Sequence, residues 1–240
     1  MGGGAPHGAL AFSGVSKLMS QPVRTAVYVD GFNLFYWLKP LPYRWVDLKA
    51  LTLNAIAQPG KEHEIVALKY FTARVSDTQY DRTKSTRQDV YIKALKAHIP
   101  QLTVQFGEFR RKPKMMPRAY RDGTTGPPVL VMDTEEKGSD VNLAVELVND
   151  AWLNLYDLAI VISNDSDLQH AVRLAKKKRM VGVLVRGDAE VNSLKSVSNF
   201  MRKLTENNLK NSLMPHQIPD TNIRIPDDWL LKEKRAGITR

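Results

Sequence analysis

The sequence predicts an α/β fold, a three-layer sandwich around a mainly parallel central sheet. Short β-branched apolar runs alternate with stretches of helical period along the chain, the pattern of repeated strand–helix–strand units. Several helical stretches open on a carboxylate or on Ser/Thr, the residues that satisfy free N–H groups at helix starts. With 240 residues, 43% of them hydrophobic and 25% charged, the chain has ordinary globular proportions and length for one full-size core.

In chain order, the opening Met1-Gly-Gly-Gly-Ala-Pro-His-Gly lacks a basic start followed by a continuous apolar stretch. Residues 1–22 are therefore expected to be a flexible extension, with no secretion signal implied. The first strand is expected over 25–29, then a helix over 47–57, a strand over 65–75, a helix over 78–97 and a strand over 103–107. The stretch Arg110 to Gly126 is rich in Arg, Lys, Pro and Gly without hydrophobic period, which predicts a mobile basic loop facing solvent. A strand over 129–132 and a helix over 140–155 follow. Next comes Asp157-Leu-Ala-Ile-Val-Ile-Ser163, the longest apolar run, expected as a buried strand over 158–162. A helix over 167–178, a strand over 181–185 and a helix over 191–204 complete a domain of residues 23–204. The tail, 205–240, mixes Asn, Pro and charge with apolar punctuation at Ile223, Ile225, Trp229, Leu230 and Leu231. It is expected to wrap the domain or to reach a neighbouring copy and make a homo-oligomer.

Composition narrows the chemistry. No apolar run approaches the ~20 residues that cross a bilayer, so no membrane association is expected and a cytoplasmic location is. The absence of cysteine excludes disulfide frameworks, iron–sulfur clusters, thiolate zinc sites and cysteine nucleophiles. The five histidines are scattered without metal-binding spacing, and no Walker loop, dinucleotide-binding glycine motif or Gly-x-Ser-x-Gly elbow occurs. Thirty-five Lys+Arg against 25 Asp+Glu leave a net charge of +10 and a pI near 9.7, a balance that favours a polyanionic partner.

Three acidic clusters occupy the same topological position. In Ala26-Val-Tyr-Val-Asp30-Gly-Phe-Asn33 a carboxylate sits where a buried strand turns toward a helix. Asp165 and Asp167 follow the strand Ala159-Ile-Val-Ile, and Asp140 opens a helix in Lys137-Gly-Ser-Asp140. Open α/β sheets bind ligands beyond the carboxyl ends of their strands, so Asp30, Asp140, Asp165 and Asp167 are expected to converge there. Crowded carboxylates raise one another's pKa, and a hard divalent cation, Mg²⁺ or Mn²⁺, resolves that conflict with oxygen ligands alone. Phosphodiester hydrolysis is the chemistry such a centre permits. Each carboxylate taken singly also suits a turn or helix cap.

The motifs carry a resemblance. Val27-Tyr-Val-Asp30-Gly-Phe-Asn33, Lys69-Tyr-Phe-Thr-Ala-Arg74, Arg87-Gln88, Lys137-Gly-Ser-Asp140-Val-Asn-Leu-Ala144 and Val161-Ile-Ser-Asn-Asp165-Ser-Asp167-Leu168 stand in the order found in NYN domains. The sequence resembles an NYN domain of the PIN-like nuclease superfamily, in the bacterial LabA-like branch, from about Thr25 to Arg186. The resemblance implies a PIN-like fold and a metal-dependent ribonuclease with one or two Mg²⁺ or Mn²⁺ ions. By motif position Asp30, Asp140, Asp165 and Asp167 are its acidic set and Asn33 a polar neighbour. Where the family often has a second Asp six residues after the helix-opening one, this chain has Glu146. Six helical steps turn a side chain ~240° away from Asp140.

Phosphate-holding groups lie close to these motifs. Lys137, Arg74, Arg87, Ser163 and Asn164 are candidates to position RNA, although Arg82 and Arg87 also suit a solvated helix face paired with Asp81 and Asp89. Arg110, Arg111 and Lys112 begin a basic stretch that includes Tyr120, a composition suited to tracking a single strand while stacking a base. The run from Arg173 to Arg179 is read as a solvated helix end, where cations favour the dipole. Among Tyr28, Phe32, Phe35, Tyr36 and Trp37, core packing accounts for most and one is available to stack a base. Two other classes stay open. One is a catalytically silent RNA-binding or regulatory module; the other is a different Mg²⁺ phosphohydrolase, of Toprim or haloacid-dehalogenase type, built on Asp165-Ser-Asp167.

Overall fold

The computed structural model describes residues 21–187 and 191–238. The expected extension therefore lies, up to residue 20, outside the described residues. The architecture is α/β: a seven-stranded, mostly parallel sheet flanked by helices on both faces. Its strands are β1 (Val23–Asp30), β2 (His63–Ala73), β3 (Leu102–Ala119), β4 (Thr125–Lys137), β5 (Leu158–Ile162), β6 (Met180–Arg186) and β7 (Phe200–Leu204). They lie in the order β4-β3-β2-β1-β5-β6-β7, and every neighbouring pair is parallel except β3 with β4.

The strand period of two divides the apolar residues between two cores. Val27, Val29, Ile160 and Ile162 face one, together with α1 (Gly31–Leu38), α2 (Leu48–Ile56) and α3 (Lys84–His98). Ala26, Tyr28, Ala159 and Val161 face the other, under α4 (Ser139–Trp152), α5 (Gln169–Lys176) and α6 (Asn192–Val197). All five residues of β5 are buried, as a strand covered on both sides requires.

Three expectations need correction. The basic stretch 110–126 is not a loop: β3 and β4 pair from Glu108 opposite Lys137 to Ala119 opposite Thr125, with one register shift between Pro117 and Arg118, as an antiparallel ribbon running past the core. Its prolines hide the strand signal, and all four of them lie in the outer part of the ribbon, where most residues are exposed. The helix expected over 191–204 stops at Val197, and Phe200–Leu204 becomes β7. The free edge of β6 captures it, and Gly182 leaves the space that the Phe200 ring fills. The helix expected from residue 78 begins at Lys84, because Thr78 and Asp81 close a tight turn on each other first. The helix expected after Asp30 without stated bounds is α1, apolar nearly all round and without a period; its start is set by Asp30, whose Oδ1 accepts the N–H of Asn33 at 3.0 Å.

The tail turns back on its own chain. After α7 (Glu206–Lys210), Met214, Ile218, Ile225 and Trp229 bury in the first core, the last on α8 (Asp227–Arg235). Trp229 lies 6.2 Å from Trp45 and 5.9 Å from Tyr91 between ring centroids, and Trp45 Nε1 donates to the Pro215 carbonyl at 2.8 Å. The tail thus wraps the domain, the first of the two arrangements expected of it, and its apolar side chains are largely used within the chain; Leu231 remains exposed.

Candidate metal centre

The sheet changes direction of winding between β1 and β5, since the strands following β1 in sequence lie on one side of it and β5 starts the other. A crevice at such a switch point is where open α/β sheets take ligands. Asp30 ends β1 there, and Ser163, Asn164 and Asp165 follow β5.

One hydroxyl joins the two strands. Ser163 Oγ donates to Asp30 Oδ2 at 2.9 Å and accepts the Asp165 N–H at 3.0 Å. Asp165 Oδ1 in turn accepts the Asp167 N–H at 2.9 Å, capping a short 3₁₀ turn over Ser166–Leu168. Asn33 Oδ1 accepts the Asn164 N–H at 3.2 Å, and Asn164 Oδ1 accepts the Arg186 N–H at 2.9 Å, so α1, β5 and β6 are stapled at their ends. Gly31 is required by a close approach: a Cβ there would stand 2.6 Å from the Phe71 carbonyl oxygen and 2.7 Å from the Tyr70 ring.

Burial pushes the Asp30 carboxyl above the usual carboxylate range. Hydrogen bonds from Asn33 and Ser163 oppose that shift, and the neighbouring Asp165 charge adds to it. A carboxylate at the end of β1 and another three residues past the adjacent β5, with oxygen donors beside them, suit a hard cation that keeps waters in its remaining positions.

The other candidates fall in different places. Asp140 is exposed in the first turn of α4, where its Oδ1 accepts the Val141 N–H at 2.8 Å. Ser139, just before it, packs against Gly107 of β3, two strands along from β1. Among the described residues no hydrogen bond or ion pair links Asp140 or the Asp167 side chain to Asp30. Among the described residues no group of three or more His, Asp or Glu is placed to hold one ion, so the expected four-carboxylate convergence reduces to Asp30 with Asp165. Arg87 is committed elsewhere: it pairs with Asp81 at 2.5 Å and Asp228 at 3.4 Å and is only 15% exposed, so its assignment to RNA is corrected to a clamp on α8. Arg74 pairs with Asp89 and lies 4.3 Å over the Phe106 ring, yet stays exposed. Lys137 ends β4, half exposed beside Glu135 at 3.0 Å. Arg110, Arg111 and Lys112 stand exposed on the ribbon, whose root is fixed by Phe109 packing edge-on against Phe32 at 5.4 Å.

Sequence reasoning missed a charged knot beneath α4. Lys69 of β2 meets Glu146 at 2.5 Å and Asp150 at 2.6 Å, while the Tyr28 hydroxyl donates to Asp150 at 2.6 Å. Burial lowers the Lys69 pKa, but the two carboxylates outweigh it and hold the ammonium above its ordinary value; the hydrogen bond from Lys69 holds Glu146 below its own. The i, i+4 spacing of Glu146 and Asp150 was the available signal, since it puts both on one helix face.

A family model described as the NYN domain matches residues 24–205. The chain is 26% identical over 248 aligned residues to the 6-hydroxy-3-succinoylpyridine 3-monooxygenase HspA of Pseudomonas putida, covering 89% of this chain and 77% of that protein. It is also similar to the crystal structure of a protein of unknown function from Vibrio parahaemolyticus, at 19% identity and a TM-score of 0.47, over 80% of this chain and 97% of the other.

Proposed function

The chain belongs to the NYN-domain family, whose PIN-like α/β architecture its sheet shares, and from that premise we propose that it is a divalent-metal-dependent endoribonuclease acting on single-stranded RNA. The observation that carries the proposal is the Asp30–Ser163–Asp165 junction at the switch point, with the Asp30 carboxyl raised in proton affinity. Asp30 and Asp165 would hold one Mg²⁺ or Mn²⁺, with Asp140 and Asp167 as the further acidic candidates. When bound, such an ion neutralises the carboxylates, stabilises charge on phosphoryl oxygens and makes water nucleophilic at neutral pH.

The chain's own residues do the rest. Ser163 holds the Asp30 carboxylate in place by donating to its Oδ2. Asn33 fixes the loop that carries Asp165 by holding the Asn164 amide. Lys137, Arg74 and the exposed cations Arg110, Arg111 and Lys112 of the ribbon position the phosphates of the strand. Residues 23–204 form the nuclease domain in this reading, in a LabA-like branch, and the tail braces it. RNA as substrate goes with a cytoplasmic location. The test is cleavage of a labelled single-stranded RNA with Mn²⁺ or Mg²⁺. Cleavage that stops with chelator and in Asp165→Asn supports the reading, and cleavage that persists in either refutes it. RNA binding without turnover across several metals leaves the silent RNA-binding module.

The alignment with the monooxygenase favours a second reading, because it extends over most of this chain. Hydroxylation of a substituted pyridine is then the reaction, and oxygen consumption with 6-hydroxy-3-succinoylpyridine and a reductant checks it.

A further inference from the structure

At the amino edge of the sheet, opposite the acidic junction, a cleft of about 310 Å³ is lined by Lys176, Lys177, Lys178, Arg179, Asn199 and Asp157. That volume is at the low end of small-ligand sites. Four consecutive cations meet there, and the one carboxylate is already engaged: Asp157 Oδ2 accepts the Arg24 N–H at 3.3 Å and its other oxygen lies 3.9 Å from the Arg24 guanidinium. Among the described residues no carboxylate pairs with any of the four.

The contacts these side chains make among the described residues leave the charge uncompensated. Lys176 donates to the Ser198 carbonyl at 2.8 Å. Lys178 lies 5.2 Å over the half-exposed Trp152 ring. Arg179 donates to the Lys178 carbonyl at 3.2 Å, and its Nε is buried without a hydrogen-bond partner. The dipole of α5 favours cations in its last turn, which accounts for Arg173 and Lys176. Lys178 and Arg179 lie beyond the helix, where that effect fades, and four like charges held together repel unless an anion joins them.

The helix also links the two edges. α5 begins just after the 3₁₀ turn capped by Asp165 and ends in the cleft. It buries Ala171, Val172 and Ala175 and turns His170, Arg173 and Lys177 to solvent. Eight residues at ~1.5 Å each make this outward stripe about 12 Å long.

We propose that the amino-edge cleft is a phosphate-binding site that holds the backbone of the RNA strand leaving the acidic junction, with the outer face of α5 as its path. The identity of the occupant rests on the ribonuclease reading; the anion chemistry rests on the four cations alone.

The test uses a 2′-O-methyl oligonucleotide in chelator, so that binding is read without cleavage. Fluorescence anisotropy across a salt series compares the full chain with Lys177→Gln/Lys178→Gln/Arg179→Gln and with Lys177→Gln alone, each checked for an unchanged melting temperature. Each phosphate contact on a single strand contributes ~0.7 to the log–log salt slope. The triple variant is expected to lose about 2 from that slope and to bind at least tenfold more weakly at low salt, with the single variant losing about a third as much. An unchanged slope and affinity, with any stabilisation by inorganic phosphate equally unchanged in the triple variant, overturn the proposal, as does a full chain that binds no strand and is not stabilised by inorganic phosphate. Stabilisation by phosphate that the triple variant loses, without any effect on strand binding, keeps the anion site and removes RNA as its occupant. Absence of cleavage alongside variant-sensitive strand binding removes the ribonuclease reading and leaves the cleft standing.

Discussion

Replacing Ser163 with alanine deletes the one hydroxyl shared by both carboxylate-bearing strands. The side chain is buried, and it donates to Asp30 while accepting the Asp165 amide. A hydrogen bond to a charged acceptor is worth about 1.5–3 kcal/mol, and the orphaned Asp165 N–H adds to the loss. The Ser163 bond is one of those opposing the rise in the Asp30 pKa. Its removal therefore raises that pKa further and weakens the hold on a cation at neutral pH. If the same energy is lost from the transition state, cleavage falls about ten- to hundredfold, and the acid limb of the pH–rate profile moves to higher pH. The assay is initial cleavage rate against pH under Mn²⁺, with thermal melts alongside. A rate and acid limb equal to wild type, in a variant that folds, refute the reasoning, since Ser163 would then be a passive strand-end residue.

Other perturbations have outcomes of stated sign. Asp30 holds its proton above the ordinary range only when folded, so the folded chain retains a proton that the unfolded chain has released. Without divalent ions, its burial lowers stability as pH climbs past the ordinary carboxylate range. Asp30→Asn should then be more stable than wild type at neutral pH and no different in acid, measured by urea unfolding at both. Lys69→Met leaves Glu146 and Asp150 without their cation and is expected to cost about 3–5 kcal/mol near neutrality, with a smaller deficit in acid as Glu146, held low by Lys69 in the wild type, protonates. Trp229→Ala empties the contact with Trp45 and Tyr91 and should cost ~3–5 kcal/mol in denaturant unfolding. Gly31→Ala drives a methyl into Phe71 and Tyr70, an overpacking of about 1–3 kcal/mol, and should lower the melting temperature and the cleavage rate together.

The parts of this molecule legible in its sequence are those that local chemistry fixes. Asp30 announces itself because a β-branched run ends on Asp-Gly, and the five buried residues of β5 read as a strand from their apolarity alone. What tertiary pairing decides stays hidden. Phe200–Leu204 merges with the helix before it until the edge of β6 and the space at Gly182 select a strand. The ribbon of β3 and β4 conceals itself behind Pro113, Pro117, Pro127 and Pro128. At the site, the meeting of Asp30 with Asp165 follows from topology, whereas the place of Asp140 depends on where α4 docks. Its start beside Gly107 sets Asp140 by β3. The engagement of Arg87 by Asp228 depends on where the tail docks: its apolar punctuation announces a return, but not the place at which α8 lands.

The claim that everything else leans on is that Asp30 and Asp165 share one hard divalent ion. Titration of Mn²⁺ into the full chain, read by the electron paramagnetic resonance signal of free ion, measures it without reference to any substrate. One ion bound per chain, lost in Asp30→Asn and in Asp165→Asn while Asp157→Asn retains it, is the predicted result. Equal Mn²⁺ uptake by all four proteins, or none by the wild type, contradicts it.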